Sequence, residues 1–447
     1  GDDDGDVVWP TGVVRQLDEP LGGVLRLQFG DAPAHSFFAD RPVQTVAAEQ
    51  ERFPVAEEQR ASHLRADVGL EPDRARDDVL LRVLLQRRFW EPAGTHLFGD
   101  PRVVVADLHE RTGVVAIEAA VTDVRPPGFA AAEEDGDELG AVASPQRLWL
   151  PLPLNQDMLF QRTLGHEWKG NADSASMRRL PDGDLEVFCC EWRAGVEAQI
   201  QITTTVTTAD RHFDVTKRTV APEREDILRR NLQASRLIPN DETAHRVGER
   251  IVGRIKDPVA QVKAVYDWVI ENSIYDPALP GVGGGDVRRQ FDTGQYGGKS
   301  ADINGLFVAL CRGIGIPARC VYGLRIGPSR LFRSLGLTGD RASDAQHVRA
   351  EFYVPGYGWI PVDPSDVRRV IALEGISDRD SKLAALRKVL FGVWEMNWIA
   401  YNVGSDVPLP GGRGTVPFLV LPQLESTDGS RIGRDALSYA ISAKRID

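Results

Sequence analysis

The chain has 447 residues, of which 42% are hydrophobic and 26% are charged. This composition is typical of a globular protein in water, and the length favours two or three domains. The net charge of −12 argues against nucleic acid as the main partner. No window approaches the run of about eighteen apolar residues that a membrane helix needs, so membrane insertion is not expected. The cytoplasm is the default compartment unless an export signal precedes residue 1.

The first third of the chain holds most of the acidity, since residues 1–150 carry 28 acidic and 15 basic side chains. Residues 1–128 predict an N-terminal domain of mixed α/β character, with strand-like apolar runs and one amphipathic helix at 73–89. This domain offers no motif to which chemistry can be assigned. The stretch 129–145 is small, acidic and glycine-bearing, and it predicts an exposed linker.

A change of pattern follows the linker, where apolar residues alternate with polar or β-branched ones in RLWLPLPL, DLEVFCCEW and AQIQITTTVTT. Such period-two runs predict an antiparallel β module at 146–225. Residues 226–447 predict helices followed by strands. One helix begins after Asp257, another spans Ser300 to Arg312, and ARCVYGLRI, HVRAEFYV and WIPVDP read as antiparallel strands. The predicted fold class is therefore α+β.

The stretch GQYGGKS at 294–300 ends a glycine-rich loop and leads into the second of these helices. A phosphate-binding P-loop needs a glycine five residues before its glycine–lysine pair, and that position is Thr293. The other interpretation is nucleophilic catalysis by Ser300, because the N-terminus of a helix stabilises a developing anion. Taken alone, a serine at this point is an ordinary helix cap.

Two residues downstream supply a base and its partner. His347 begins the strand HVRAEFYV, and Asp363 ends the strand WIPVD. If the turn between them is centred on Gly356, Asp363 lies opposite Arg349 on the face that also carries His347. A turn with an even number of residues would put Asp363 on the other face. The order serine, histidine, aspartate on helix, strand and strand favours a catalytic triad over three unrelated residues.

These motifs resemble those of the bacterial transglutaminase-like superfamily, which shares the arrangement of papain-like cysteine proteases. The resemblance rests on GGKSADINGLFVALCRGIGIPARCVYGLRIG and AQHVRAEFYVPGYGWIPVDPSD, and extends to FGVWEMNWIAYN and DVPLPGG. It covers about two-thirds of the chain and leaves residues 1–145 outside. It implies a papain-like core of helices packed on an antiparallel sheet, preceded by the β module.

The resemblance also implies functional residues. Ser300, His347 and Asp363 correspond to the nucleophile, base and orienting residue of a triad for acyl transfer. The acyl donor is then a carboxamide or thioester of a peptide, protein or small molecule, and the acceptor is an amine or water. The backbone N–H of Ser300 with Gln295 or Tyr296 is implied for the oxyanion. Further candidates for the substrate cleft follow: Gln346, Trp394 and Asn397. No metal or organic cofactor is expected.

The sequence departs from the family at the nucleophile, where the family has cysteine and this chain has Ser300. A deliberate Cys→Ser substitution, a natural binding protein without catalysis, and a serine enzyme all remain open. We favour a silenced enzyme, because His347 and Asp363 are intact. The alternatives are an inactive scaffold protein and a peptidase or amidase of the same fold. Cys311 and Cys320 are predicted to be buried and inert, so neither replaces the nucleophile.

Overall fold

A computed structural model describes residues 113–124, 145–155, 160–180, 184–213, 220–426 and 437–446. The predicted helix at 73–89, the rest of the predicted N-terminal domain before residue 113, and all but the last residue of the linker lie outside these ranges. Two of the three four-stranded sheets are formed by eight strands: β1 Gly113–Val124, β2 Gln146–Pro151, β3 Gln161–Gly170, β4 Ser174–Leu180, β5 Leu185–Trp192, β6 Ile200–Thr208, β17 Gln423–Ser426 and β18 Leu437–Ile446.

These strands form two antiparallel sheets of four, with the orders β18-β1-β6-β3 and β17-β2-β5-β4. Buried apolar side chains of both sheets join in one core that includes Val121, Leu148, Phe188, Trp192 and Ile202. The module is therefore a β-sandwich, held together by burial of the apolar faces that the period-two pattern predicts. β3 and β4 are not predicted from the sequence, because most of their side chains are exposed.

The sandwich does not follow the predicted division of the chain. Strand β1 falls within the predicted N-terminal domain, yet it pairs with β6 from Gly113↔Thr208 to Val121↔Ile200. Strand β18, near the C-terminus, pairs with the other edge of β1. Antiparallel pairing joins segments more than 300 residues apart, which local patterns cannot indicate. The other predicted domain boundaries remain predictions.

The remaining elements are mainly helices, which pack against a third four-stranded sheet. The helices are α1 Glu225–Arg230, α2 Glu242–Val252, α3 Pro258–Asn272, α4 Val287–Thr293, α5 Ser300–Gly313, α6 Pro364–Glu374 and α7 Ser381–Val389. The sheet has the order β12-β11-β10-β14, formed by β10 Ala318–Arg325, β11 Gln346–Val354, β12 Gly358–Val362 and β14 Trp398–Asn402. The short elements are β7 Arg211–His212, β8 Ile274–Tyr275, β9 Gly297–Gly298, a 3-10 turn Arg333–Leu335, β13 Val393–Trp394, β15 Val407–Pro408 and β16 Thr415–Val416.

Helix α5 is the central element among these helices and the third sheet, and all fourteen of its residues are buried. The sequence predicts an apolar stripe facing one side, but the helix is covered by α2 and α3 as well as by β10 and β11. Gly313 allows the close approach of α2, since a Cβ there would lie 2.7 Å from the carbonyl of Ala244. A helix buried on all sides holds its first residue in a fixed position relative to the sheet.

The sheet that receives α5 is buried on both faces. Every residue of β11 is buried, including the polar set that shares a face with His347. Within that set, the Glu351 carboxylate lies between the guanidinium groups of Arg211 and Arg319, each with a nitrogen 2.5 Å from it. Burial by itself would raise the pKa of Glu351, but the two arginines outweigh burial and hold it below its usual value. This ion network compensates the buried charge.

Helix α3, with 15 residues, is the longest helix in the described ranges. It falls short of the roughly 20 residues that span a bilayer, and no helix of the described part qualifies as a transmembrane candidate.

Candidate active site

The glycine-rich stretch before Ser300 supports the start of α5 and does not form a phosphate cradle. Gly297 and Gly298 have φ values of +134° and +128°, which side chains rarely adopt. The Asp302 carboxylate accepts the backbone N–H groups of Lys299 at 2.8 Å and Gly285 at 2.7 Å. The Gly297 N–H donates instead to Oε1 of Gln290 at 3.1 Å, so these two backbone donors of the loop already have acceptors within the protein. A Cβ at Gly298 would lie 2.4 Å from the Asp302 carboxylate.

Ser300 is the first residue of α5, and its side chain contacts the strand that carries His347. Its Oγ accepts a hydrogen bond of 3.1 Å from the backbone N–H of Val348, the residue after His347. The backbone N–H of Ser300 has no carbonyl partner within the helix, because helical bonds begin later in the first turn. Only 4% of Ser300 is exposed. The hydroxyl is therefore held beside β11 at the N-terminus of a buried helix.

His347 and Asp363 meet as the sequence predicts. The ladder between β11 and β12 runs from Val354↔Gly358 to Ala350↔Val362, and it is symmetrical about Gly356. Nε2 of His347 lies 2.7 Å from Oδ2 of Asp363, and both side chains are buried. Nε2 is therefore the ring nitrogen that the carboxylate engages.

The Asp363 carboxylate is fixed by several donors. Its other oxygen, Oδ1, accepts the Ser365 hydroxyl at 2.7 Å, the Asp366 backbone N–H at 3.1 Å and the Asn304 amide at 3.2 Å. Asp363 caps α6, and Pro364 begins that helix. Three donors on one oxygen and the imidazole on the other leave this side chain little freedom to rotate.

Asn304 is a site residue that the sequence analysis misses. It lies one turn after Ser300 on α5 and is completely buried, and its Nδ2 also donates to the Val348 carbonyl at 2.6 Å. Asn304 thus ties the helix of the serine to the strand of the histidine and to the cap with the aspartate. A signal was present in the sequence, because Asn304 interrupts the apolar residues of α5 at an i, i+4 distance from Ser300.

Two further charged residues approach the imidazole. Oδ1 of Asp366 lies 3.4 Å from Nε2 of His347, and Nη2 of Arg325 lies 2.5 Å from the same Oδ1. Nε of Arg349 lies 3.6 Å from Oδ2 of Asp363, and its guanidinium stacks 4.7 Å from the ring centre of Trp398. All of these groups are buried.

Burial and charge together keep the imidazole neutral. Burial lowers the pKa of His347 well below its usual value, Arg325 and Arg349 lower it further, and Asp366 opposes them. Burial also lowers the pKa of Arg349, to about 10, so its guanidinium stays charged at neutral pH. The histidine is thus a free base with its proton on Nε2 when that nitrogen donates to Asp363.

Three residues of this site, His347, Asp363 and Asp366, are of types that can bind a metal ion. Single ligand atoms of His347, Asp363 and Asp366 lie within 4.8 Å of one another. Arg325 and Arg349 already supply positive charge to both carboxylates, and the imidazole Nε2 already has a carboxylate partner. A hydrogen-bonded network accounts for these side chains without a metal, and the expectation that no cofactor is needed remains a prediction.

Comparison with known proteins gives the family. A model of the transglutaminase-like superfamily matches residues 245–364, a range that contains Ser300, His347 and Asp363. An uncharacterized protein of Haemophilus influenzae is 31% identical over 279 residues, which are 59% of this chain and 75% of that protein. The chain belongs to the transglutaminase-like superfamily.

Two solved structures match parts of this chain at low sequence identity. A candidate cysteine protease from Cytophaga hutchinsonii is 16% identical with a TM-score of 0.46, over 76% of this chain and 92% of that one. The periplasmic domain of TgpA from Pseudomonas aeruginosa is 18% identical with a TM-score of 0.31, over 59% of this chain and 90% of that one. The helices packed on an antiparallel sheet, together with the match to the transglutaminase-like family model, confirm the predicted α+β fold class.

Gln295 and Tyr296, the side chains predicted to stabilise the oxyanion in this transglutaminase-like protein, contact residues other than Ser300. Gln295 is exposed, and its backbone N–H donates to the Thr293 hydroxyl at 3.3 Å. The ring of Tyr296 packs against Trp268 and Phe291 with centroid distances of 5.2 and 6.3 Å. No described contact joins Gln295 or Tyr296 to Ser300, so their role at the oxyanion remains a prediction.

The predicted cleft residues differ in their surroundings. Gln346 precedes His347 and lines a cavity of about 460 Å³, which Arg325 and Arg369 also line. Asn397 lines a larger cavity of about 790 Å³, and its Nδ2 donates to the Leu335 carbonyl at 3.1 Å.

Trp394 is a packing residue of the transglutaminase-like core. It is 2% exposed, its indole N–H donates to the Val362 carbonyl at 3.1 Å, and its ring lies 5.3 Å from that of Trp398. A fully buried ring of this kind fits an aromatic core between sheet and sandwich. Its predicted role in the substrate cleft gains no support from these contacts.

The cysteines of this family member do not replace the nucleophile. Burial raises the pKa of Cys311 well above its usual value and that of Cys320 to about 12. Both thiols are buried in the core, where they stay protonated and inert. Their predicted packing role is confirmed, and residue 300 is the group at the start of α5 that faces β11.

Proposed function

We propose that residue 300 is the nucleophile of an acyl-transfer centre that acts on a carboxamide or thioester carbonyl. Two contacts support this most: Ser300 Oγ accepts from the backbone N–H of Val348, the residue after His347, and Nε2 of His347 lies 2.7 Å from Asp363. A nucleophile, a base and a group that orients the base are the components that covalent catalysis requires.

In the first half-reaction, Nδ1 of His347 takes the side-chain proton of residue 300. The oxygen or sulfur of residue 300 attacks the carbonyl carbon of the substrate at the same step. The new bond gives a tetrahedral intermediate whose negative charge lies on the former carbonyl oxygen. The backbone N–H of residue 300 at the N-terminus of α5 is the proposed donor to that oxygen. The intermediate collapses as the proton on Nδ1 passes to the leaving amine or thiol, which leaves an acyl-enzyme.

In the second half-reaction, an amine or water attacks the acyl-enzyme and His347 serves again as base and then as acid. Transfer to an amine gives a new amide, and transfer to water gives a free acid. Asp363 keeps the proton on Nε2 throughout, so that Nδ1 alternates between the free and the protonated form. All four outcomes in this family, namely cross-linking, deamidation, peptide hydrolysis and amide synthesis, begin with the same acylation.

Serine at position 300 slows this chemistry in our proposal. A hydroxyl has a far higher pKa than a thiol, so the base must remove its proton during attack, whereas a thiolate forms readily near neutral pH. The neutral imidazole at position 347 is the form that can accept that proton. The Ser300 protein is therefore expected to react much more slowly than a Ser300→Cys variant, without a change in fold.

Intact-mass spectrometry tests the proposal. The native protein, Ser300→Cys and Ser300→Ala are incubated with p-nitrophenyl acetate, followed by hydroxylamine as acceptor. We expect Ser300→Cys to gain one acetyl group that hydroxylamine removes, and Ser300→Ala to gain none at the peptide that contains residue 300. A His347→Gln change in the Ser300→Cys background should reduce the rate of acetylation by roughly 10²-fold to 10⁴-fold.

The result also separates the alternatives. Acetylation of the native protein at Ser300 would identify a working serine enzyme. Loss of the acetyl group to water without hydroxylamine would favour a peptidase or amidase. If Ser300→Cys is not acetylated at all, the acyl-transfer proposal is wrong and the buried triad is better explained as part of a binding or scaffold protein.

A further inference from the structure

Two carboxylates, and not one, approach the Nε2 side of His347. Oδ2 of Asp363 lies 2.7 Å from Nε2 and Oδ1 of Asp366 lies 3.4 Å from it. Asp363 is the N-cap of α6 and Asp366 lies in its first turn, where the backbone N–H of Asp366 also donates to Oδ1 of Asp363. The side chains of Asp363 and Asp366 are 0% and 1% exposed. Water therefore does not screen either one from the imidazole.

The second carboxylate is held in place from the opposite side. Nη2 of Arg325, on β10, lies 2.5 Å from Oδ1 of Asp366, and Nη1 of Arg325 donates to the Leu335 carbonyl. Arg325 is 3% exposed. The oxygen that Arg325 contacts is the same oxygen that faces His347, so the arginine fixes its position relative to the ring.

We propose that Asp366, held by Arg325, is a second positioning residue for His347, which shares the Nε2–H with Asp363 and keeps Nδ1 unprotonated toward residue 300. This inference rests on the proposed function, in which Nδ1 accepts the proton of residue 300. The Asp363 carboxylate does not interact with His347 alone. Its Oδ1 accepts hydrogen bonds from three other donors, and Nε of Arg349 lies 3.6 Å from its Oδ2. A second acceptor on the same side of the ring disfavours the alternative tautomer, which would place a lone pair against two carboxylates.

The charges around the ring give Asp366 a second effect. Arg325 faces His347 from β10, Arg349 from β11, and Asp363, Asp366 and Arg369 from α6, while α5 contributes the uncharged Ser300 and Asn304. Removing the charge of Asp366 leaves Arg325 uncompensated in a buried site next to the imidazole. Transfer of a proton to Nδ1 then becomes harder, since it creates a cation beside an unpaired cation.

The isosteric variant Asp366→Asn tests this role with two readouts. Nitrogen-15 NMR of the imidazoles, with the His347 signals assigned by a His347→Gln variant, reports the tautomer. We expect the native protein to hold the Nε2–H form and Asp366→Asn to show a mixed population. In the Ser300→Cys background, the acidic limb of the pH profile of kcat/KM should shift to lower pH, and kcat should fall roughly 10-fold to 100-fold.

Arg325→Lys is a second variant that keeps the charge but loses the planar fork, and it should shift both readouts in the same direction by less. A purely structural ion pair would alter thermal stability but leave the tautomer and the acidic limb in place. Unchanged NMR signals and an unchanged limb in Asp366→Asn, or in Arg325→Lys if the first variant does not fold, would overturn the inference.

The NMR readout does not depend on turnover, which separates the two proposals. If no variant transfers an acyl group but Asp366→Asn still changes the tautomer of His347, the proposed function fails and the positioning role stands. If Ser300→Cys is active and Asp366→Asn leaves the His347 signals unchanged, only the positioning role fails.

Discussion

Acid should destabilise this protein through His347. The imidazole is 3% exposed, and burial with the nearby Arg325 and Arg349 lowers its pKa well below the value of about 6.5 in the unfolded chain. The unfolded chain therefore binds a proton that the folded chain does not. The stability associated with the neutral ring is fully present above pH 6.5 and falls as the pH drops toward the lower folded pKa. One such proton costs on the order of 1 kcal/mol at pH 5.5 and about 2 kcal/mol at pH 5.0.

Guanidinium denaturation from pH 8 to pH 5, followed by tryptophan fluorescence, measures this effect against two variants. His347→Gln removes the titrating ring while its amide can still donate to Asp363, so its free energy of unfolding should fall less with acid by about the amounts given above. His212→Gln is the matched control, because His212 is exposed on β7, and it should follow the native curve. Parallel curves for the native protein and His347→Gln across this range would refute the reasoning.

Three other changes test parts of the fold that support the site. Asn304→Ala removes the amide that donates to three groups, so we expect a loss of about 2–3 kcal/mol in urea unfolding and slower acylation in the Ser300→Cys background. Glu351→Ala leaves two arginines without their buried partner, and its free energy of unfolding should drop by about 3–5 kcal/mol. Gly298→Ala places a Cβ 2.4 Å from Asp302 at a φ of +128°, so its melting temperature should fall more than that of Gly253→Ala, where no atom lies within 4 Å.

The sequence was a good guide where local patterns determine the structure. The start of α5 at Ser300, the cap of α3 by Asp257 and the turn centred on Gly356 all follow from residue types at short distances in the chain. The meeting of His347 with Asp363 follows from that turn, because the register of a hairpin is fixed by its connection. This part of the site could therefore be predicted before the fold was known.

Contacts between distant segments were beyond these patterns. Asn304 and Asp366 are polar residues that reach buried partners on other elements, and an amphipathic pattern treats them as exposed or as caps. Strand β1 was predicted as a strand but grouped with the N-terminal domain, because its partners β6 and β18 lie far from it in sequence. In each case, the tertiary partner determines the role of the residue.

The charge balance around His347 resolves an apparent conflict between its low pKa and its proposed role as base. Two guanidinium groups, Arg325 and Arg349, contact two carboxylates, Asp363 and Asp366, so these four groups balance one another. Arg369 adds a further positive charge that opposes protonation of the imidazole. A proton taken from water would give the site a net positive charge, and burial opposes that. A proton taken from residue 300 leaves the total charge unchanged, since residue 300 gains a negative charge or passes it to the oxyanion at the same step. The site therefore resists protonation by solvent but permits transfer within itself, which is the behaviour that a general base at neutral pH requires.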